Sequence, residues 1–310
     1  MTIRKRFPWT TKTDDFSVPG LHSKPSAAYF LMIRALRISP SYELARKVRA
    51  GEITSAEKKK LPKDFDQVLA TFDLIGDVEK IIFRYWWLKR GIAIFSTPYN
   101  EPQLGVIDIF SARQEIDFAD LNKRVKKNLQ KERAFEGSPQ TILLTIPLNL
   151  EKTAIIRKIK FLLNEIQIEL PKTPAEPLIK LMHKRLNRKA TEKGLNLLYR
   201  KSANPDMELW RLGARAKISE TYSPVLDYKG PRKPKDATEI SDRIILSKIT
   251  HRTLKRFEFI VENAARGKFP CDDPIEIIDF NYQVVKEKHE SFDKWLNETE
   301  DRWKKQLGLS

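Results

Sequence analysis

The chain has 310 residues, enough for two domains or three small ones, and its 41% hydrophobic and 32% charged residues exclude wholesale disorder. One cysteine and four histidines exclude a disulfide framework and a recognisable structural zinc site, and no apolar run is long enough to span a membrane. The 58 lysines and arginines against 41 acidic residues give a net charge of +17, which indicates a polyanionic partner.

The first hundred residues have the pattern of small stacked helices. Ser39 and Pro40 are suited to the N-cap and first position of a short helix that Gly51 ends. The apolar residues of 78–86 recur at helical spacing, so we expect a buried helix face formed by Val78, Ile81, Ile82, Tyr85 and Trp86. Trp87 lies beside that stripe; core packing is expected for it, and stacking on a base is the alternative.

The middle of the chain alternates between strand and helix signals. Three short apolar runs, at 92–95, 106–109 and 141–146, are rich in β-branched residues and predict strands. The basic segment 118–133 and the segment 150–163 have helical spacing. We therefore predict a small central α/β layer within an α+β fold that is mostly helical.

The composition divides the chain into four parts. Residues 171–177 (PKTPAEP) hold three prolines and predict a stiff linker. A second helical block follows, including a long amphipathic helix after Thr238 that ends near Gly267. The last 39 residues carry ten acids and six bases and predict an acidic helix. The expected parts are an N-terminal helical and α/β domain over 1–170, the linker 171–177, a basic helical domain over 178–271 and an acidic C-terminal helix over 272–310.

The positive charge is clustered along the chain. Many bases on one surface bind phosphates strongly at low salt and weakly at high salt. Each cluster has the alternative of a solvated helix face, but together they favour a nucleic-acid partner and no membrane partner. The clusters are 123–133, 180–201, 229–235 and 243–268.

Residues 209–226 (LWRLGARAKISETYSPVL) form the best local candidate for a site. Gly213 is a small residue inside a first helix, and the apolar residues that would fix two helices around a turn are Leu212, Ala216 and Ile218. The segment resembles the helix-turn-helix family of DNA-binding domains, which implies duplex DNA as the ligand. It departs from that family at Lys217, where a glycine is usual, and at Pro224, which would interrupt a second helix that begins at Ser219. The alternative is two ordinary core helices joined by a turn.

The resemblance implies a role for each polar residue of this region. The residues expected nearest the bases are Glu220, Thr221 and Tyr222. The residues expected to hold phosphates are Arg211, Arg215, Lys217, Lys229, Arg232, Lys233 and Lys235. The following helix would extend the basic surface with Arg252, Lys255 and Arg256.

Further stretches, among them RISPSYELARKVRAGEI and FDQVLATFDLIGDV, are similar to uncharacterised proteins of bacterial mobile elements and prophages. That similarity implies a setting and no mechanism. We therefore predict a cytoplasmic DNA-binding protein of such an element, acting as a transcriptional regulator or as a replication or maintenance factor. No cofactor, metal site or catalytic residue is expected.

Two other functional classes stay open. A structural or assembly protein, such as a capsid-associated or scaffolding component, fits the amphipathic helices and the acidic C-terminal segment, through which copies could associate. A metal-dependent nuclease would use Asp108 with Glu115, although no lysine follows Glu115 at the expected two-residue spacing.

Overall fold

The structure, a computed structural model, describes residues 21–23, 26–100, 103–166, 176–182, 187–276 and 280–306. These residues form two compact units. Unit 1 contains the described residues from 26 to 95 and from 178 to 306, and unit 2 contains those from 21 to 23 and from 96 to 177.

Helices make up most of the described residues of unit 1 and fewer than half of those of unit 2. Unit 1 begins with α1 (Ser26–Ile38), α2 (Pro40–Ala50), α3 (Ser55–Lys58), α4 (Phe65–Ile75), α5 (Phe83–Trp86), a π-helical turn (Trp87–Gly91) and α6 (Ile92–Phe95). Unit 2 holds β1 (His22–Ser23), β2 (Ser96–Thr97), α7 (Phe118–Lys127), a π-helical turn (Asn128–Glu132), α8 (Arg133–Phe135) and α9 (Lys152–Glu165). Unit 1 continues with α10 (Arg188–Ala203), α11 (Leu209–Ala216), α12 (Ala237–Ala265) and α13 (Tyr282–Gln306).

The mostly helical α+β fold is confirmed, but the predicted central α/β layer is wrong in detail. The sheet among the described residues consists of β1 and β2 alone, two residues each, paired antiparallel. Residues 92–95 are helical because Ile94 and Phe95 pack into the aromatic core of unit 1. Segments 106–109 and 141–146 form neither helix nor strand. Strand propensity measures fit to a pleated surface, and these segments have no partner strand in the described part of the chain.

Helix α12 is the central element of unit 1. It contacts α1, α2, α4, α10 and α11. Two glycines permit the closest approaches: a Cβ at Gly194 would lie 2.0 Å from the ring of Phe257, and one at Gly213 would lie 2.0 Å from Thr250 Oγ1. Any larger residue would push α10 or α11 away from α12.

A buried ionic cluster joins the start of α2 to the end of α12. Glu262 is fully buried and accepts hydrogen bonds from the hydroxyls of Ser39 (2.6 Å) and Ser41. Arg266 donates to the same carboxylate at 3.3 Å and to both oxygens of Asp64 at 2.6 and 2.8 Å. The Arg266 guanidinium lowers the pKa of the Asp64 carboxyl. These bonds compensate the burial of the charged groups.

The aromatic core of the N-terminal helices differs from the predicted stripe. Trp87 is fully buried and stacks on Phe95, with ring centroids 6.0 Å apart, and on Tyr29 at 5.0 Å. Tyr85, expected inside, is 56% exposed. Helix α5 begins only at Phe83, so Val78, Ile81 and Ile82 lie outside it, and the buried face is formed by Phe83 and Trp86 of α5 with Trp87 of the π-helical turn. Trp87 therefore has no access to a nucleic-acid base.

The compact units have a boundary at 178, but they join the first helices to the C-terminal block, which the sequence predicts to be separate domains. Helix α1 packs on α10 and α12, so the first helices and the C-terminal block share one core. The acidic C-terminal helix belongs to it too, because α13 packs on α10 and α1, and Lys288 Nζ lies 2.7 Å from a carboxylate oxygen of Glu43. The predicted linker 171–177 falls mainly outside the described residues, at 171–175. Nowhere in the described chain does a helix combine the length and apolar character that crossing a membrane requires.

Candidate nucleic-acid interface

Helix α11 ends where the helix-turn-helix resemblance places its turn. Lys217 adopts the left-handed conformation, φ 53° and ψ 49°, at the position where that family usually has glycine. The N–H groups of Lys217 and Ile218 donate to the carbonyls of Ala214 and Gly213, both at 3.1 Å. The helix end is thus capped within its own backbone, and the lysine side chain is exposed.

The second helix of such a motif does not follow. Ser219 Oγ accepts from the N–H of Tyr222 at 3.1 Å, while Ser223 Oγ accepts from the N–H of Ser219 and donates to the Gly213 carbonyl. These serine bonds, with Pro224 next in the chain, favour successive turns over a helix. The next helix begins only at Ala237.

The residues expected nearest the bases therefore lie on a turn. Glu220 and Thr221 are exposed. Tyr222 is half-buried and packs against a small apolar cluster that includes Trp210 and Leu226. A turn of this kind has no helix to enter the major groove, so base reading by these three residues would need a different docking geometry.

Two arginines that flank Trp210 hold the loop that follows. Arg211 lies 4.5 Å and Arg243 4.0 Å from the Trp210 ring centroid. Arg211 Nη1 donates to the carbonyls of Tyr228 (2.8 Å) and Gly230 (2.9 Å). Because its Nε also donates to Glu208 at 2.7 Å, Arg211 is occupied within the fold.

Arg243 anchors the next part of the same loop. Its guanidinium donates to the carbonyls of Pro231 at 3.0 Å and Arg232 at 2.5 Å, and it also pairs with Glu239. The basic loop, residues 229–235 (KGPRKPK), thereby has a fixed backbone while its four cationic side chains are exposed. These side chains are Lys229, Arg232, Lys233 and Lys235.

Arg215, the other arginine expected on the phosphates, also has an internal contact. Its Nη1 donates to Asn204 Oδ1 at 3.1 Å, and the residue is half-buried. Desolvation and the nearby Arg215 charge lower the pKa of Arg200. We conclude that Arg211 holds the loop backbone and Arg215 contacts the Asn204 side chain, whereas the loop cations and Lys217 face solvent.

The stretch of α12 from Lys248 to Arg256 presents the clearest charged surface of this region. Four exposed cations lie at spacings of three, four, seven and eight residues, which places them within an arc of about 100° on one side of the helix. We name this set the α12 basic face; it consists of Lys248, Arg252, Lys255 and Arg256.

The partners of these four cations differ. Lys255 Nζ lies 2.8 Å from Glu258, and Arg256 Nε lies 2.5 Å from Asp272. The Arg256 pair is exposed on both sides, at 62% and 42%, so it contributes little and can be exchanged for a phosphate, whereas Lys255 pairs with a Glu258 side chain that is only 4% exposed. Lys248 and Arg252 have no ion pair among the residues that the structure describes.

Three residues of this surface were not among the predicted site residues. Lys248 could have been found from sequence, because it lies four residues before Arg252 on an amphipathic helix. The support of the basic loop by Trp210 and Arg243 could not have been found from sequence, because the contact joins two side chains separated by more than thirty positions.

The carboxylates considered for a nuclease lie in unit 2. Asp108 accepts from Arg124 Nη1 at 3.1 Å, and Glu115 is exposed. No group of three histidine, cysteine or acidic side chains that could hold a metal occurs in the described ranges. Cys271 donates to Asp273 at 3.1 Å, and burial raises the pKa of its thiol.

No protein-family model, curated protein or solved structure matches this chain.

Proposed function

We propose that this protein binds duplex DNA through the α12 basic face and the basic loop, chiefly by contacts to phosphates. The observation that carries the proposal is the shared exposed side of α12, on which four cations recur at helical spacing. A straight helix with a row of cations matches a row of phosphates, because B-DNA carries one charge for every ~1.7 Å of its axis.

The chemistry of the surface favours backbone contacts over base reading. Arginine and lysine bind phosphate oxygens without regard to sequence. The residues expected at the bases, Glu220 to Tyr222, lie on a turn, where the Glu220 carboxylate would repel phosphates. We therefore expect affinity with little dependence on sequence. The predicted setting remains a mobile element, in which the protein would act as a regulator or as a replication or maintenance factor.

The test compares two double variants in the full-length chain. Lys248→Ala with Arg252→Ala removes two phosphate contacts, and Lys59→Ala with Lys60→Ala removes two exposed cations elsewhere in unit 1. Binding of a fluorescent duplex is measured by anisotropy between ~50 and ~200 mM salt. We expect the α12 variant to flatten the plot of log affinity against log salt by about 2, because each lost contact removes ~0.9 from the slope.

The control variant is expected to keep the wild-type slope. An identical response of the two variants would show that general charge, and not the α12 basic face, attracts the DNA. Circular dichroism at the same salt concentrations checks that both variants are folded.

Unit 2 favours a second candidate function, assembly with other proteins. None of its described residues is buried, and several large apolar side chains are more than 60% exposed. Contiguous exposed apolar surface is typical of protein interaction sites. The most exposed of these side chains are Leu104, Val106, Ile109, Phe118, Phe135, Leu148 and Phe161. Sedimentation at high salt without DNA distinguishes the two functions, because an assembly driven by apolar contacts persists there.

A further inference from the structure

Two arginines on neighbouring helices lie close together in unit 1. Arg200 is in the last turn of α10 and Arg215 in the last turn of α11, and both are half-buried. The Asn204 side chain joins their surroundings, because its Oδ1 accepts from Arg215 Nη1 at 3.1 Å while its Nδ2 donates to the Arg200 carbonyl at 3.0 Å. We name Arg200 and Arg215 the arginine pair.

The arginine pair has no carboxylate partner. Among the described residues neither guanidinium forms an ion pair, and the Arg200 guanidinium forms no hydrogen bond. Burial lowers the pKa of Arg200, the Arg215 charge lowers it further, and Tyr228 raises it. Two partly desolvated like charges repel each other, and an anion bound between them removes that cost.

Tyr228 supplies a third hydrogen-bond donor beside the pair. Arg211, one turn before Arg215 on α11, donates to the Tyr228 carbonyl at 2.8 Å and so holds this residue over the same side of the helix. The Tyr228 hydroxyl has no hydrogen-bond partner in the described part of the chain. Donors from α10, α11 and the start of the loop therefore surround one position.

The arginine pair is separate from the α12 basic face. Arg215 lies about 160° around α11 from Gly213, which contacts Thr250 of α12. The α12 basic face points away from α11 in turn, because Lys248 lies about 160° around α12 from Thr250. A straight duplex bound on the α12 basic face therefore does not reach the arginine pair.

We propose that the arginine pair, with the Tyr228 hydroxyl as a third donor, binds the dianionic phosphate of a phosphate monoester or of inorganic phosphate. Each guanidinium is a planar fork of N–H donors that matches two oxygens, so two forks suit the tetrahedral oxygens of phosphate better than a single carboxylate. The site goes beyond the proposed function, since it lies on another side of unit 1 and takes another form of phosphate.

The charge of the site favours a monoester over the nucleic-acid backbone. A phosphate monoester carries a charge of about −1.5 to −2 at neutral pH, which two arginines neutralise. A backbone diester carries only one negative charge. The ligand is therefore a free phosphorylated molecule or the phosphorylated end of a nucleic-acid strand.

The first experiment measures binding of inorganic phosphate to the full chain by isothermal titration calorimetry, with chloride at equal ionic strength as the reference. Arg200→Gln is compared with Arg188→Gln, a change at an exposed cation of the same helix. We expect the wild type and Arg188→Gln to bind phosphate alike. Binding should be at least about tenfold weaker for Arg200→Gln and for Arg215→Gln, because each loses a charge-assisted contact.

Tyr228→Phe removes only the hydroxyl and should weaken binding less than either arginine change. Equal phosphate affinities of the wild type, Arg200→Gln and Arg215→Gln would overturn the proposal. So would phosphate binding no stronger than that of chloride.

The stability of Arg200→Gln separates binding from a structural role. Because the change relieves the repulsion between two cations, the urea midpoint in phosphate-free buffer should be no lower than that of the wild type. A lowered midpoint together with an unchanged phosphate affinity would show that Arg200 supports the fold and would contradict the site.

Two matched oligonucleotides distinguish the sources of the phosphate. One strand carries a 5′-phosphate and the other a 5′-hydroxyl, and both compete with inorganic phosphate. A preference of at least about tenfold for the phosphorylated strand, lost in Arg200→Gln, supports the end of a nucleic acid as the ligand. Equal binding of the two strands by a protein that binds inorganic phosphate supports a free phosphorylated molecule.

The two proposals fail separately. A protein that binds phosphate at the arginine pair but shows the same salt slope for the α12 variant and its control contradicts only the proposed function. A protein whose duplex binding depends on the α12 basic face, but which binds neither inorganic phosphate nor the 5′-phosphate, contradicts only the arginine-pair site.

Discussion

At the scale of single residues, the buried carboxylate of Glu262 decides how the first helices join α12. Its oxygens satisfy the Ser39 and Ser41 hydroxyls at the start of α2, and Arg266 neutralises its charge. The N-cap role of Ser39 was predictable, since Ser39 Oγ accepts from the N–H of Tyr42 at 3.1 Å. Its bond to Glu262 was not, because a glutamate in an amphipathic helix is expected to be solvated.

Removing the arginine of this cluster should destabilise unit 1 strongly. The Arg266 side chain is 1% exposed, and Arg266→Met would leave the fully buried Glu262 without a counter-charge. We expect a loss of about 3 to 5 kcal/mol in the free energy of unfolding, measured by urea denaturation.

Arg49→Met is the matched comparison. Arg49 also pairs with an aspartate, Asp73, but both side chains are about half exposed, so the expected loss is under ~1 kcal/mol. Equal losses for the two variants would show that the cluster at Glu262 contributes no more than a surface pair.

At the scale of elements, local spacing predicted where several helices begin and end but not how each one faces the core. Gly51 ends α2 with φ 73°, α12 (Ala237–Ala265) lies close to the helix predicted after Thr238, and α13 lies within the predicted acidic segment. The helix predicted over 78–86 begins only at Phe83, so Tyr85 is exposed, whereas Trp87 in the π-helical turn is buried. A π turn depends on packing, here of Trp87 on Phe95, which a periodic pattern cannot reveal.

The contact between α11 and α12 offers a direct test of element packing. A Cβ at Gly213 would lie 2.0 Å from Thr250 Oγ1, so Gly213→Ala forces the helices apart. The clash should outweigh the gain of ~1 kcal/mol in helix propensity and reduce the free energy of unfolding by about 1 to 3 kcal/mol in urea.

Adding Thr250→Ala should recover most of that loss, because it removes the clashing oxygen. The Thr250 hydroxyl donates only to the Leu246 carbonyl of its own helix, so its removal leaves no other partner unsatisfied. A stabilised Gly213→Ala protein would mean that α11 and α12 are not packed this closely.

At the scale of the whole molecule, the sequence predicted a helical protein with clustered cations and missed which segments share a core. The helices before Phe95 and those after residue 178 form unit 1, joined by contacts such as Ser41 to Glu262 across 221 positions. The proline-rich run at 171–177 was a reasonable boundary. The unit changes directly after that run, at Leu178, and also after Phe95, where no boundary was predicted.

The charge clusters were likewise predicted as basic segments, without showing which of their side chains are exposed. The cluster at 123–133 lies in unit 2, and those at 229–235 and 243–268 lie in unit 1. Within 243–268 the fold separates supporting arginines from exposed ones. Arg243 and Arg266 are buried, whereas Arg252 and Arg256 are exposed. The net charge predicted a polyanionic partner, and only the packing of α12 separates the exposed cations from the buried ones.

Lysine footprinting of the wild-type protein tests this face most directly. The chain is acetylated at low salt with and without duplex DNA, and the modified lysines are identified by mass spectrometry. We predict that DNA protects Lys248 and Lys255, together with the lysines of the basic loop, and that ~200 mM salt or more abolishes the protection. Lys59 and Lys60 should react equally in both samples. Unchanged reactivity of Lys248 and Lys255 in the presence of bound duplex would contradict the assignment of DNA binding to α12.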